Sequence, residues 1–292
     1  MAITASQVKE LRERTGLGMM DCKKALQETD GDMDAAIDTL RKKAGSKVEK
    51  KAGRIAADGI VEIHIGDDNK LASMVEINSE TDFVAKSDDF RNFASEVTSV
   101  VTPATAEDID KLLSSMIGKE TVSSKLEGLV ARLGEKMSIR RATCFGSEKG
   151  VIAGYIHGRR IGVLVEMEGG DLELCRDLAM HIAASKPEFI LPEDVPVDLV
   201  TKEREIYRAQ AEESGKPDEI IIKMVEGRIS KYLNEITLVG QPFVKDPDTR
   251  VGKLLDKANA KVNRFERFEV GEGMAKRDED FAAEVMSQVK GG

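Results

Sequence analysis

Asn78-Ser79-Glu80-Thr81-Asp82-Phe83-Val84-Ala85-Lys86 joins a run that alternates like a strand (Leu71, Ser73, Val75, Ile77) to one that repeats like a helix (Phe90, Phe93, Ala94, Val97). Joints of this kind usually carry Gly, Asn, Asp or Ser, because the backbone turns there and water satisfies it. Here a phenylalanine stands beside an aspartate. In one reading Phe83 tucks under the helix as a staple and Asp82 caps its first turn, as most aromatics and acids at such joints do. In the other the pair is a presented wedge, a ring and a carboxylate offered to another protein from a loop on a rigid scaffold.

An internal repeat bears on the choice. The first copy starts at Gly59, with strand Ile60–Ile65, a turn at Gly66-Asp67-Asp68-Asn69, strand Leu71–Ile77, the joint, and a helix over Phe90–Val101. The second starts at Gly150, with strand Val151–Ile156, a turn at His157-Gly158-Arg159-Arg160, strand Ile161–Met167, and a helix over Leu172–Ala184. Val75-Glu76-Ile77 and Val165-Glu166-Met167 occupy the same place. Each hairpin needs a helix over its apolar face, since a lone hairpin is not stable. At the joint the copies part: the second reads Glu168-Gly169-Gly170-Asp171, an ordinary turn with no apolar counterpart of Phe83. An aromatic required by the shared architecture would have one, which favours the wedge.

Around this core, residues 4–44 read as three short helices. Thr4 and Gln7 form a capping box, Val8 and Leu11 an apolar stripe, and Met19-Met20 a pair suited to an adaptable contact surface or a packed turn. Residues 41–54 are basic (Arg41, Lys42, Lys43, Lys47, Lys50, Lys51, Arg54, against Glu49) but carry no aromatic to stack on bases, so a solvated helical linker is the expectation. Thr105–Met116 and Thr121–Met137 read as amphipathic helices and Ile139–Phe145 as a strand. Asp198–Ser214 and Asp218–Asn234 form an antiparallel helical hairpin, with Leu199, Ile206, Tyr207 and Gln210 facing Ile221, Met224, Val225 and Tyr232, expected to project from the body. A short helix (Val251, Leu254, Leu255, Ala258) and a strand ending at Phe268–Gly271 complete the second copy, and a last helix carries Phe281, Val285, Met286 and Val289. The chain is therefore expected to be α+β with antiparallel sheets. Its expected parts are a three-helix module with basic linker (1–54), a first core copy (55–146), a second copy (147–187 and 235–270), an inserted hairpin (188–234) and a C-terminal helical module (271–292).

Composition narrows the function. A chain of 292 residues with 41% apolar content supports more than one core, and a net charge of −9 argues against a nucleic-acid protein. No run approaches a membrane span, and Met1-Ala2-Ile3-Thr4 lacks the layout of a signal peptide, so a cytoplasmic location is expected. Cys22, Cys144 and Cys175 form no Cys-x-x-Cys pair and read as reduced apolar residues. Gly252-Lys253 is followed by Leu254 and is no phosphate loop; a Gly-x-Ser-x-Gly elbow and a His-Glu-x-x-His helix are absent. His64 reads as solvated, His157 as a turn residue open to contact, and His181 as a structural histidine. With 53 carboxylates, no chosen Asp/Glu pair is informative. The expectation is a non-enzymatic binding protein with no cofactor, metal or small-molecule substrate.

Several long strings then carry a resemblance. Thr15-Gly16-Leu17-Gly18-Met19-Met20-Asp21-Cys22-Lys23-Lys24-Ala25-Leu26 and Thr81-Asp82-Phe83-Val84-Ala85-Lys86 resemble the two signature stretches of bacterial elongation factor Ts. So do His157–Leu164, Ala179–Pro187, Gly240-Gln241-Pro242-Phe243 and Arg267–Gly273, in the same order over nearly the whole chain. The resemblance implies guanine-nucleotide exchange on elongation factor Tu, bound in its GDP and nucleotide-free forms. It also implies an N-terminal module similar to ubiquitin-associated domains, a duplicated core and a coiled-coil hairpin. Thr81, Asp82, Phe83 and Val84 match the stretch associated with displacing the partner's magnesium. Lys23 and its neighbours Met19 and Met20 are expected to meet the partner's GTPase domain, and His157 and Val244 another partner domain. Lys245 departs from the apolar residue some members carry beside that patch. The rival readings are an RNA-associated translation accessory protein using the 41–54 strip, a scaffold without exchange activity, and an enzyme whose site has no recognisable constellation.

Overall fold

The computed structural model describes residues 3–51 and 53–274, without the side chains of residues 46–50. The expected C-terminal helix around Phe281 and nearly all of the 271–292 module lie outside the described residues, as do the side chains of Lys47 and Lys50 in the basic strip.

Three helices open the chain: α1 (Ala5–Thr15), α2 (Met19–Glu28) and α3 (Met33–Lys51). The Thr4–Gln7 capping box is formed in both directions, and Gly16 ends α1 in the left-handed region at φ 68°. Val8, Leu11, Cys22, Ala25, Leu26, Ala36 and Leu40 close a small core. The basic stretch continues α3 as helix through Lys51.

The first core copy contains β1 (Asp58–Ile65), β2 (Leu71–Ser79), α4 (Asp82–Lys86), α5 (Asp88–Ser99), α6 (Pro103–Ala106), α7 (Ile109–Ser114), β3 (Met116–Ile117), β4 (Glu120–Thr121), α8 (Val122–Leu133) and β5 (Met137–Gly146). The second contains β6 (Val151–His157), β7 (Ile161–Glu168) and α9 (Leu172–Ser185). The helical hairpin α10 (Val197–Glu212) and α11 (Asp218–Ile236) comes next, then β8 (Pro242–Phe243), β9 (Asp246–Arg250), α12 (Val251–Lys257) and β10 (Lys261–Glu269). Helices are thus combined with antiparallel sheets, as the α+β expectation required. None of the described helices is long and apolar enough to cross a membrane.

The two three-stranded sheets share one strand order. One runs β1-β2-β5 and the other β6-β7-β10, so in each the second hairpin strand is central and a later strand returns beside it. In the second sheet Val151 faces Met167 and His157 faces Ile161, antiparallel throughout. One helix covers each hairpin with the same spacing. Phe90, Phe93, Ala94 and Val97 of α5 pack on Val75 and Ile77. Cys175, Leu178, Ala179 and Ile182 of α9 pack on Val163, Val165 and Met167. Positions i, i+3, i+4 and i+7 form one face of a helix, and that face is the one buried. Both copies also begin at a glycine for the same steric reason. A Cβ on Gly59 would lie 2.1 Å from the Ile77 carbonyl oxygen, and one on Gly150 would lie 2.4 Å from that of Met167.

By internal packing the chain divides into two compact units. One runs to His64, resumes over Ser73–Cys144 and takes the stretch from Phe268; the other holds Ile65–Ala72 and Phe145–Arg267.

Some expectations need correction. The run Thr105–Met116 is not one helix: Thr102 caps α6, Asp108 caps α7 with bonds from the Asp110 and Lys111 amides, and Met116 starts a short strand. The next helix stops at Leu133, where Gly134 turns left-handed at φ 81°, and Met137 already belongs to β5. In the helical hairpin, Ile206 and Gln210 are exposed. Its seam is Ala211, Ile221, Val225 and Ile229, flanked by Val200, Tyr207, Met224 and Leu233.

Candidate partner-binding site

The joint after β2 is itself a short helix. Thr81, not Asp82, caps it: its hydroxyl accepts the Val84 N–H at 3.4 Å, and Asp82 is the first helical residue. One turn of helix points successive side chains in different directions. Val84 and Ala85 turn inward to the cluster around Val75, Ile77 and Phe90. Phe83 turns outward and is 80% exposed. The staple reading fails on that figure, since a packed ring loses most of its surface. Asp82 holds Lys86 one turn on at 2.6 Å, with both side chains about half exposed or more. A solvated ion pair of this kind is worth about 0.3–0.5 kcal/mol.

The turn is fixed from below. The Thr81 N–H and hydroxyl both donate to the Glu135 carboxylate, at 3.0 and 2.7 Å, and the Ser79 hydroxyl donates to the Thr81 carbonyl at 2.9 Å. Beside it Glu80 accepts the Lys136 N–H at 2.5 Å and the Arg54 guanidinium at 3.2 Å. Burial by itself pushes the Glu80 carboxyl up. The Lys136 amide and Arg54 outweigh that and hold it below its ordinary value. No local pattern in the sequence marks the pairing of Thr81 with Glu135, which are 54 positions apart.

Lower on the chain, Met19 and Met20 open α2 and are 57% and 63% exposed, with Lys23 exposed on the same helix. The packed-turn reading of this pair therefore fails. In the other unit, His157 is exposed at the end of β6, its Nδ1 3.2 Å from the Tyr155 hydroxyl and its ring stacked on that side chain.

Val244 is 42% exposed, and a buried histidine holds its backbone. The Val244 N–H donates to His181 Nδ1 at 3.2 Å, while His181 Nε2 donates to Gln241 Oε1 at 2.9 Å. Gln241 Nε2 in turn donates to the carbonyls of Glu235 (2.7 Å) and Ser185 (3.3 Å). These bonds require the neutral ring, protonated on Nε2. His181 is thus the structural histidine its position suggested. Lys245, the departure beside this patch, is tied to Asp177 at 2.5 Å.

Burial lowers the His181 pKa from its ordinary 6.5, and the Gln241 bond offsets this only in part. Below 6.5 the unfolded chain takes up a proton that the folded chain refuses, so the contribution is full above that pH and is lost as pH falls. Denaturation midpoints are expected to drop as the pH falls below 6.5 toward the folded value. His181→Gln is expected to flatten that limb while lowering the midpoint overall.

Cys22 and Cys175 are buried and Cys144 half-buried; burial pushes the Cys175 thiol up to about 11, where it is unreactive.

Comparison with known proteins identifies the family. The family described as elongation factor TS matches residues 80–272, a span that starts at the pinned turn and ends past β10. Elongation factor Ts of Thioalkalivibrio sulfidiphilus is 57% identical over 292 residues, covering 100% of both chains. The same-named proteins of Alkalilimnicola ehrlichii (55%, 100% of both) and Methylococcus capsulatus (54%, 99% of both) are similar to it over as much of their length. With the family match and the full-length identity together, the chain belongs to the elongation factor Ts family, the nucleotide exchange factors of translation elongation.

Proposed function

We propose that this protein is a cytosolic, non-enzymatic binding factor that speeds GDP release from elongation factor Tu, with the Thr81–Val84 turn as the working part. The observation that carries the proposal is Phe83, an aromatic ring left 80% exposed on a turn whose neighbours on both sides are anchored. An apolar ring held in water on a rigid support is poised to bury itself in another protein. In this reading Phe83 enters an apolar slot on the GTPase and Asp82 exchanges Lys86 for a polar group near the partner's metal. Magnesium neutralises the β-phosphate and holds the switch loops, so disturbing its surroundings loosens GDP. Asp82 need not bind the ion. Met19, Met20 and Lys23 supply a second contact, to the GTPase domain, and His157 and Val244 a third, to another partner domain.

Linkage fixes what such a protein does to the equilibrium. If it binds the nucleotide-free partner more tightly than the GDP form, GDP weakens its binding by the same factor. It therefore lowers the barrier to exchange and leaves the GDP/GTP balance unchanged. The test is the rate of labelled-GDP dissociation from elongation factor Tu with and without this protein. Acceleration that saturates with protein concentration is expected. Binding without acceleration would identify a scaffold instead. RNA affinity with a steep salt dependence, in place of either, would identify the basic strip as the working surface.

A further inference from the structure

The Thr81–Val84 turn is held by a carboxylate that no signature stretch contains. Thr81 is the last residue before the exposed ring's helix, and every polar atom it has is used. Its N–H and hydroxyl go to Glu135, its hydroxyl oxygen also accepts the Val84 N–H, and its carbonyl accepts the Ser79 hydroxyl. Glu135 reaches this position because Gly134 ends α8 in the left-handed region, which turns the next two residues alongside Glu80 and Thr81. The contact is doubled by the neighbouring pair, in which the Lys136 N–H donates to Glu80. A carboxylate that accepts two bonds from one residue fixes both that residue's φ and its side-chain rotamer. The direction of Phe83, two residues on, follows from both.

We infer that Glu135 is a positioning residue for exchange: it holds Thr81 so that the Phe83 ring is aimed before the partner arrives. The inference deepens the exchange reading and rests on it. Pre-aiming matters because the cost of ordering a turn at the moment of contact is subtracted from what the ring gains by burial. Glu135 touches neither the ring nor any partner atom in this account. Its effect passes through Thr81.

The test is labelled-GDP release from elongation factor Tu, measured over a range of concentrations of the full-length protein. Wild type is compared with Glu135→Ala, Glu135→Gln, Phe83→Ala and the double variant Phe83→Ala/Glu135→Ala. Loss of two charge-assisted bonds in Glu135→Ala is expected to lower the maximal release rate about tenfold, with a half-saturating concentration within about twofold of wild type, since the other contacts remain. Glu135→Gln, which keeps an acceptor for the Thr81 N–H, should restore most of the rate. If Glu135 works through the ring, the double variant is no slower than Phe83→Ala alone. In amide exchange, the Thr81 N–H should lose protection in Glu135→Ala while amides of α5 keep theirs.

Additive losses in the double variant overturn the inference, as does a folded Glu135→Ala protein that exchanges at the wild-type rate. An unfolded Glu135→Ala protein also overturns it, because Glu135 is then a residue of the fold and not of aim. No acceleration by the wild type is a different result: it removes the exchange reading itself.

Discussion

Phe83→Ala is expected to slow the stimulated release of GDP from the partner by about 30- to 100-fold while leaving the denaturation midpoint unchanged. The magnitude follows from the ring's exposure. A phenylalanine that is 80% exposed has nearly its whole apolar surface available to a partner, and moving such a side chain from water into an apolar slot is worth roughly 2–3 kcal/mol. If that burial is complete only as nucleotide leaves, it is lost from the barrier, and each 1.4 kcal/mol is about tenfold in rate. The unchanged stability follows from the same figure, because surface substitutions that break no internal contact stay within about 0.5 kcal/mol. Val84 provides the contrast. It is next along the chain but buried in the cluster with Phe90, so Val84→Ala should lower the midpoint before it affects exchange. Measuring release rates and midpoints for both variants separates aim from architecture. A Phe83→Ala protein that releases GDP as fast as wild type removes the wedge.

The exposure of Phe83 was legible for a reason that does not depend on Phe83 itself. The second copy supplies a control inside the same chain: its joint, Glu168-Gly169-Gly170-Asp171, manages the turn with no aromatic. Repeated spacing likewise made the hairpins and covering helices readable, because the i, i+3, i+4, i+7 stripe spans more than two turns and cannot arise from a strand. Shorter features escaped. A helix of five residues such as Asp82–Lys86 has no period to detect, so the joint read as loop. The run Thr105–Met116 has enough apolar residues for a helix, but Asp108 bonds two amides as a cap and forces a restart. Among the exposed apolar residues, Met19 and Met20 could be found from their type and place. Glu135 could not: one carboxylate among 53 is selected by a fold-dependent approach across 54 positions.

Polar residues in β2 show the same limit from the other side. Alternation there implies one apolar face and one that could sit in water, yet β2 is buried from Ala72 to Ser79. Ser73 donates to the Thr98 carbonyl, and Asn78 Nδ2 to the Asp58 carbonyl and to Glu76. Glu76, fully buried, accepts from Arg140 (3.0 Å), Arg141 (2.6 Å) and the Gly271 N–H (2.9 Å). Burial raises its pKa, but the Gly271 amide, the two arginines and Asn78 together hold the carboxyl below its ordinary 4.5. Arg141 also lies over the Phe268 ring at 4.2 Å. The second copy repeats the device in reduced form: Arg264 holds Glu166 at 2.7 Å and lies over Phe145 at 4.0 Å.

Glu76→Ala is accordingly expected to cost about 3 kcal/mol of stability, the largest such loss expected here. Removing one partner of a buried, hydrogen-bonded charge group typically costs 3–5 kcal/mol. The lower figure applies because Arg140 and Arg141, with side chains 26% and 30% exposed, recover part of their hydration. The Gly271 N–H and Asn78 amide have no such recourse, and a buried donor left without an acceptor costs about 1–3 kcal/mol. Glu76→Gln keeps an acceptor but not the charge and should lose about 2 kcal/mol. The same change at Glu166, 13% exposed and held by a single arginine, should lose about 1 kcal/mol. The pH dependence gives a second measurement with a fixed sign. A carboxyl with a depressed folded pKa contributes fully above 4.5, and the contribution is lost as pH falls from there toward the folded value. Wild-type stability should therefore fall below pH 4.5, and Glu76→Gln should fall less steeply over the same range, with Glu80 and Asp108 contributing to the slope that remains. Equal slopes in the two proteins would mean that the arginines and the Gly271 amide do not stabilise the ionised form, and that the hub at the centre of the first sheet is held by packing alone.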